Sequence, residues 1–162
     1  YPRLIQAAEL YDKGFAPKVV INGHRKSDVL RRLESRGFNM CCPWYEDPVR
    51  ILGILGVPRK AVVPISAEDA YDTVSEAEVV GRELIQRGYE SVIVTTSKSH
   101  TRRAGYIWGK MFEDRLRVCV VAAKSDPYDP SGWWKKGRQI RWVVSEYGAW
   151  GYYWWKRVMG SG

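Results

Sequence analysis

Between Thr96 and Arg103 the chain gathers hydroxyls at Thr96, Ser97 and Ser99, an imidazole at His100, and cations at Lys98, Arg102 and Arg103. Such a run can hold an anion and move a proton. A guanidinium such as Arg103 makes charge-assisted bonds to an anionic oxygen. The hydroxyls of Thr96, Ser97 and Ser99, with backbone N–H groups, complete a cradle for phosphate or carboxylate. His100 either donates to the anion or serves as general acid or base near neutral pH. Glu76 is the carboxylate expected to orient His100 or to accept a sugar hydroxyl. A Ser-His-acid nucleophile is not supported, because no strand–turn–helix elbow presents a serine. No set of metal-ligating residues is evident.

These residues need a scaffold. Residues 91–95, Ser-Val-Ile-Val-Thr, read as an apolar strand without polar alternation, the pattern of a strand covered on both faces in a parallel sheet. A helix over 104–112 follows. Ligands of open α/β sheets bind beyond the carboxyl ends of such strands, and a helix N-terminus favours an anion there. A second strand, 18–22, ends at Asn22-Gly23-His24, where Gly23 would let backbone approach a ligand closely. A third strand is expected over 61–65 and a last one over 118–122. Thr73 and Glu76 fit a capping box that opens a helix closed by Gly88, with Ala77, Val80, Leu84 and Ile85 as its buried stripe. That helix start would face the same cleft as His100.

A further helix is expected from Ser131 to about Trp155. Ile140, Val143, Val144, Tyr147, Gly151 and Trp154 recur at three and four and predict its core face. Trp142, Trp150 and Tyr153 fall elsewhere on the wheel and, with nearby Lys and Arg, form a basic aromatic surface suited to a lipid headgroup boundary or to a partner. Strands alternating with helices predict an α/β protein with a mainly parallel sheet in Rossmann-like layers. Residues 1–159 read as one domain, with 25–45 as an insertion carrying a short basic helix capped by Ser27. The chain opens directly in a helix and closes on Gly160-Ser161-Gly162, which reads as a cloning remnant. Both ends are therefore expected to be cut, with a strand and a membrane anchor missing upstream.

The chain has 162 residues, a net charge of +8, eight Trp and ten Tyr. A basic surface suits nucleic acid, anionic lipid or acidic small molecules, and charge alone does not choose among them. The cations are scattered and no nucleic-acid-binding module is present, so no specific nucleic acid is expected as a partner. Cys41, Cys42 and Cys119 form no disulfide framework or zinc spacing and read as reduced thiols.

Three segments together resemble the DUF218 domain family, which contains SanA, YdcF and ElyC. They are the turn Asn22-Gly23-His24, the segment Asp72-Thr73-Val74-Ser75-Glu76-Ala77, and Thr96-Ser97-Lys98-Ser99-His100-Thr101-Arg102-Arg103-Ala104. The helix around Glu146-Tyr147 is similar to the family's closing helix. The resemblance spans most of residues 3–155. It implies a Rossmann-like three-layer sandwich whose motifs meet at one cleft, and whose first family strand is absent here. It adds Asp72 and Thr73 to Gly23, Thr96, Ser97, Ser99 and Arg103 as ligand-binding residues, with His100 and Glu76 as the catalytic candidates. It further implies a bacterial domain associated with the inner membrane, or alternatively cytoplasmic, that binds an anionic, phosphate-bearing small molecule or lipid-linked intermediate. The alternative is a non-catalytic structural or sensor subunit of an envelope complex. Asn22 and His24 depart from the small turn residues of the family. Neither the sequence nor the resemblance names a cofactor or a reaction.

Overall fold

The computed structural model describes residues 1–159, so the expectation for 160–162 lies outside the described residues. In chain order the elements are α1 (Pro2–Asp12), β1 (Val19–Gly23), α2 (Asp28–Glu34), α3 (Glu46–Ile54), β2 (Val62–Ser66), α4 (Thr73–Gln86), β3 (Ser91–Thr96), α5 (Thr101–Phe112), β4 (Arg117–Ala122) and α6 (Gly137–Met159). The protein is α/β, and its strand pairs are parallel as the alternation of strands and helices requires. The pairing itself differs from the single sheet expected. Among the described residues β1 pairs only with β2, from Val19 opposite Val62 to Gly23 opposite Ser66. Among the same residues β3 pairs only with β4, from Ser91 opposite Arg117 to Thr96 opposite Ala122.

Successive side chains of a strand point to opposite sides, and β1 uses both. Val19 and Ile21 pack into a cluster with Ala8 of α1 and with Val49 and Leu52 of α3. Val20 packs instead against a second cluster built from Ala77, Val80 and Leu84 of α4 with Ala104, Ile107, Trp108 and Phe112 of α5. The stripe expected of α4 is therefore the one that is buried. Gly81 lets α4 and α5 close up, because a Cβ there would lie 2.0 Å from the Phe112 ring.

Local chemistry moves two helix starts. α4 is capped by Asp72, whose carboxylate accepts from the Ser75 N–H at 2.8 Å, while the Asp72 N–H donates to the Ser75 hydroxyl at 3.2 Å. The capping box is thus Asp72 with Ser75, not Thr73 with Glu76, which leaves the Thr73 hydroxyl free for another bond. The last helix begins at Gly137 rather than Ser131. Asp129 accepts from both the N–H and the hydroxyl of Ser131, at 2.9 and 2.7 Å, and that turn holds Ser131 outside the helix.

The largest correction concerns which side of α6 faces inward. Gln139, Trp142, Val143, Glu146, Ala149, Trp150 and Tyr153 lie on the packed side, whereas Val144, Tyr147 and Trp154 are exposed. Trp150 and Tyr153 pack on Tyr106 of α5, with ring centroids 5.3 and 5.8 Å away. The exposed aromatic surface is carried instead by Tyr147, Tyr152, Trp154 and Trp155. Two of these meet basic groups: Lys156 lies 5.2 Å from the Tyr152 ring and Arg157 5.9 Å from Trp154. No helix among the described residues is long and apolar enough to cross a membrane.

Within 25–45, α2 is capped by Ser27, which accepts from the Leu30 N–H at 3.2 Å. It buries none of its residues and is held by charge: Lys26 pairs with Glu34 at 3.0 Å and Arg31 with Asp69 at 2.5 Å. Cys41, Cys42 and Cys119 are exposed free thiols.

Candidate functional site

A cavity of about 1280 Å³ runs the length of β1 and β3, from Lys18 and Glu90 at their amino ends to a mouth at their carboxyl ends. Its mouth is lined by Gly23, Thr73, Glu76, Thr96, Ser97, Ser99 and His100, residues from all three sequence motifs. Two of the expected site residues stand elsewhere: Asp72 and Arg103 border a separate hollow of about 240 Å³ between α4, α5 and α6.

Glu146 organises this region. Both of its carboxylate oxygens lie 3.1 Å from His100 Nδ1. Arg103 donates to the same carboxylate through Nε at 2.8 Å and Nη2 at 3.0 Å, and through Nη1 to the Thr73 hydroxyl at 2.7 Å. Burial pushes the Glu146 carboxyl up, but the hydrogen bonds and charges of His100 and Arg103 outweigh it and hold the group down at about 2. An ionised carboxylate can only accept, so Nδ1 must carry a proton. That leaves Nε2 of His100 as the available ring nitrogen, with no hydrogen-bond partner among the described residues. A carboxylate fixing the imidazole tautomer from behind is a common way to prepare the other nitrogen for proton transfer or ligand contact.

Several expected roles change accordingly. Arg103 does not clamp a guest; its fork is spent on Glu146 and Thr73, the bidentate geometry that suits a guanidinium and a carboxylate. Glu76 does not orient His100 but accepts from Asn22 Nδ2 at 2.6 Å, tying the start of α4 to the end of β1. Asp72 is engaged by its cap and by Lys156 at 3.4 Å, and these bonds hold its carboxyl below the usual range against the upward pull of burial. At Gly23 the close neighbour is the Trp44 ring, 2.9 Å from where a Cβ would stand. Trp44 also stacks on His24, with centroids 5.9 Å apart, so the segment 25–45 folds back over the turn after β1.

Unspent donors remain at the mouth. The side-chain hydroxyls of Thr96, Ser97, Ser99 and Ser145 have no hydrogen-bond partner among the described residues, and all four residues line the cavity. Thr96 is the notable one, being 2% exposed with its Oγ1 unsatisfied. A buried hydroxyl without a partner costs about 1–3 kcal/mol. The residue that sequence reasoning missed is Glu146. Its signal was present as an acid three residues after Val143 on a helix with aromatic neighbours, but a carboxylate on an inward face is legible only once its basic partners are known.

Among the described residues, no three of His, Cys, Asp and Glu are grouped so as to hold a metal ion. Comparison of the chain with protein-family models, with curated proteins and with solved structures finds no match.

Proposed function

We propose that the mouth of the cavity binds a small anionic molecule, with phosphate as the favoured charged group. The observation that carries this reading is the set of unpartnered hydroxyls at Thr96, Ser97 and Ser99 beside Nε2 of His100, at the carboxyl end of β3. Hydroxyl donors, together with Nε2 of His100 when the ring carries both protons, suit the acceptor oxygens of a phosphate monoester. Binding of this kind needs no further cation, because two cations already share the single Glu146 carboxylate whenever His100 is protonated. In this reading the chain is a DUF218-like domain with Rossmann-like three-layer architecture, acting in the bacterial envelope. The exposed Tyr147, Trp154 and Trp155 with Lys156 and Arg157 are its side for an anionic membrane surface.

Inorganic phosphate tests the site directly. A ligand that binds only the folded chain raises its melting temperature by mass action. Phosphate at about 10 mM is expected to raise the midpoint above that in chloride of equal ionic strength, and the Ser97→Ala/Ser99→Ala variant is expected to lose the rise. Equal midpoints in the two salts for the unsubstituted chain overturn the proposal.

A second reading, a non-catalytic structural or sensor subunit, is favoured by the engagement of Arg103, which joins α4, α5 and α6 through Thr73 and Glu146. Within the anion-binding reading, His100→Ala separates turnover from binding without turnover. Retained phosphate binding with loss of a measurable turnover assigns His100 to proton transfer, whereas loss of binding alone assigns it to holding the ligand.

A further inference from the structure

The β1 side of the mouth carries a second imidazole. His24 directly follows β1 and lines the cavity with its side chain 21% exposed. Its backbone sits at φ 67°, a left-handed conformation that glycine enters freely and other residues uncommonly. A residue kept in such a conformation by its surroundings points to function. Here the surroundings do hold it. Trp44 stacks on the ring, with centroids 5.9 Å apart and planes 13° from parallel. Nδ1 meets the Ser66 hydroxyl at 3.1 Å and lies 3.2 Å from Glu68 Oε1. A carboxylate beside Nδ1 favours the proton on that nitrogen. Nε2 is left without a hydrogen-bond partner among the described residues. His100 stands before Glu146 in the same way, on the other strand pair.

Arg25 comes next in the chain and also lines the cavity. Its guanidinium lies 5.8 Å from the centre of the Tyr71 ring, and the Tyr71 hydroxyl donates to the Lys26 carbonyl. No carboxylate pairs with Arg25 among the described residues. Its neighbours Lys26 and Arg31 differ in this respect, since both are engaged by acids. A guanidinium with an open fork makes strong bonds to phosphate oxygens, and an imidazole carrying both protons adds a further donor. Asn22, the polar side chain at the end of β1, is already engaged by Glu76. Of the other cations lining the cavity, Lys18 and Arg117 stand at its amino end. Arg3 stands in the first turn of α1, where its carbonyl accepts from the Thr95 hydroxyl near the end of β3. Each side of the mouth thus has its own imidazole, accompanied by hydroxyls after β3 and by an unpaired guanidinium after β1.

We propose that His24 and Arg25 form a second anion subsite on the β1 side of the mouth, and that the ligand is a small molecule carrying two phosphate groups. One group meets Ser97, Ser99 and His100; the other meets Arg25 and Nε2 of His24. The proposal rests on the reading of the hydroxyl side as an anion site. In this assignment a lone phosphate leaves Arg25 and His24 unmet. A diphosphate, with both groups on one oxygen, or a bisphosphate, with both on one carbon skeleton, engages the two sides together.

The test titrates orthophosphate, pyrophosphate and fructose 1,6-bisphosphate into the chain by calorimetry at pH 7 and equal ionic strength. The expected result is binding of pyrophosphate or of the bisphosphate at least about tenfold tighter than that of orthophosphate. The tighter of the two reports the spacing between the subsites. His24→Gln and Arg25→Gln are each expected to bring that ratio to within about twofold of one. Arg36→Gln removes the same charge from an exposed position outside the cavity, and it is expected to preserve the ratio. If orthophosphate binds but the ratio is near one in the unsubstituted chain, the subsite is overturned and the hydroxyl side stands. An equal fall with Arg36→Gln also overturns the subsite, since general charge then accounts for the preference. If none of the three compounds binds, or if binding is insensitive to Ser97→Ala/Ser99→Ala, the hydroxyl side is overturned and the subsite with it. Should His24→Gln fail to fold, Arg25→Gln, at an exposed position, decides the question.

Discussion

Glu146 is the residue on which the site turns. Replacing it with Gln removes the carboxylate charge that pairs Arg103 and His100 while keeping the side chain's size. The expected loss is about 1–3 kcal/mol in urea unfolding at pH 7, since a part-buried guanidinium is left without its counter-charge. The pH dependence has a definite sign. The folded-state group is held at about 2, below its ordinary value of 4.5, so its contribution is complete above about pH 4.5 and is lost as pH falls towards 2. The difference in stability between the unsubstituted chain and Glu146→Gln is therefore expected to shrink between pH 6 and pH 2.5. A difference that stays constant across that range would show that the ion pair is not what Glu146 contributes. At this scale the sequence was legible where chemistry is local. The hydroxyls and His100 follow directly after a strand, and their meeting at the mouth was foreseeable from that position alone. Glu146 was not, because it lies 46 residues from His100, and only the packing of α6 brings the two together.

Elements explain where that reading succeeded and where it slipped. β1, β2, β3 and β4 were visible as short β-branched runs between turns, and α4 was visible from its apolar spacing. The inward face of α6 was not. It carries Gln139 and Glu146 among its apolar residues, and a pattern that assigns polar residues to water rotates the helix by about one position. Gln139 is nevertheless 2% exposed because it accepts from the Asp129 N–H at 3.0 Å and donates to the Pro127 carbonyl at 3.1 Å. Buried polar groups with partners are cheap enough to be kept, and the pattern alone does not reveal the partners. Two predictions belong to α4. Asp72→Ala removes its cap and is expected to cost about 1 kcal/mol in thermal or urea unfolding; no change would show that Ser75 and water satisfy the helix start without it. Gly81→Ala forces a Cβ against the Phe112 ring and is expected to destabilise by about 1–3 kcal/mol. The added variant Phe112→Leu is expected to recover part of that loss, and no recovery would place the strain elsewhere.

For the whole molecule, the two strand pairs and the cavity between them define what the protein can hold. Its mouth offers hydroxyls and an oriented imidazole, whereas its body offers backbone edges between apolar helices. The basic aromatic side of α6 lies on exposed residues, so sedimentation with anionic vesicles is expected to fall in a Tyr147→Ser/Trp155→Ser variant. Undiminished sedimentation would remove α6 from that role. The proposed anion site has the more direct test, because the chain contains only two histidines. Imidazole resonances of His24 and His100, separated with a His24→Gln variant, can be followed at pH 7 as inorganic phosphate is added. The expected result is a saturable shift of the His100 signals, weakened at least about tenfold by Ser97→Ala/Ser99→Ala. His100 signals that stay fixed, or that move equally in the variant, would contradict the assignment of this mouth as an anion site.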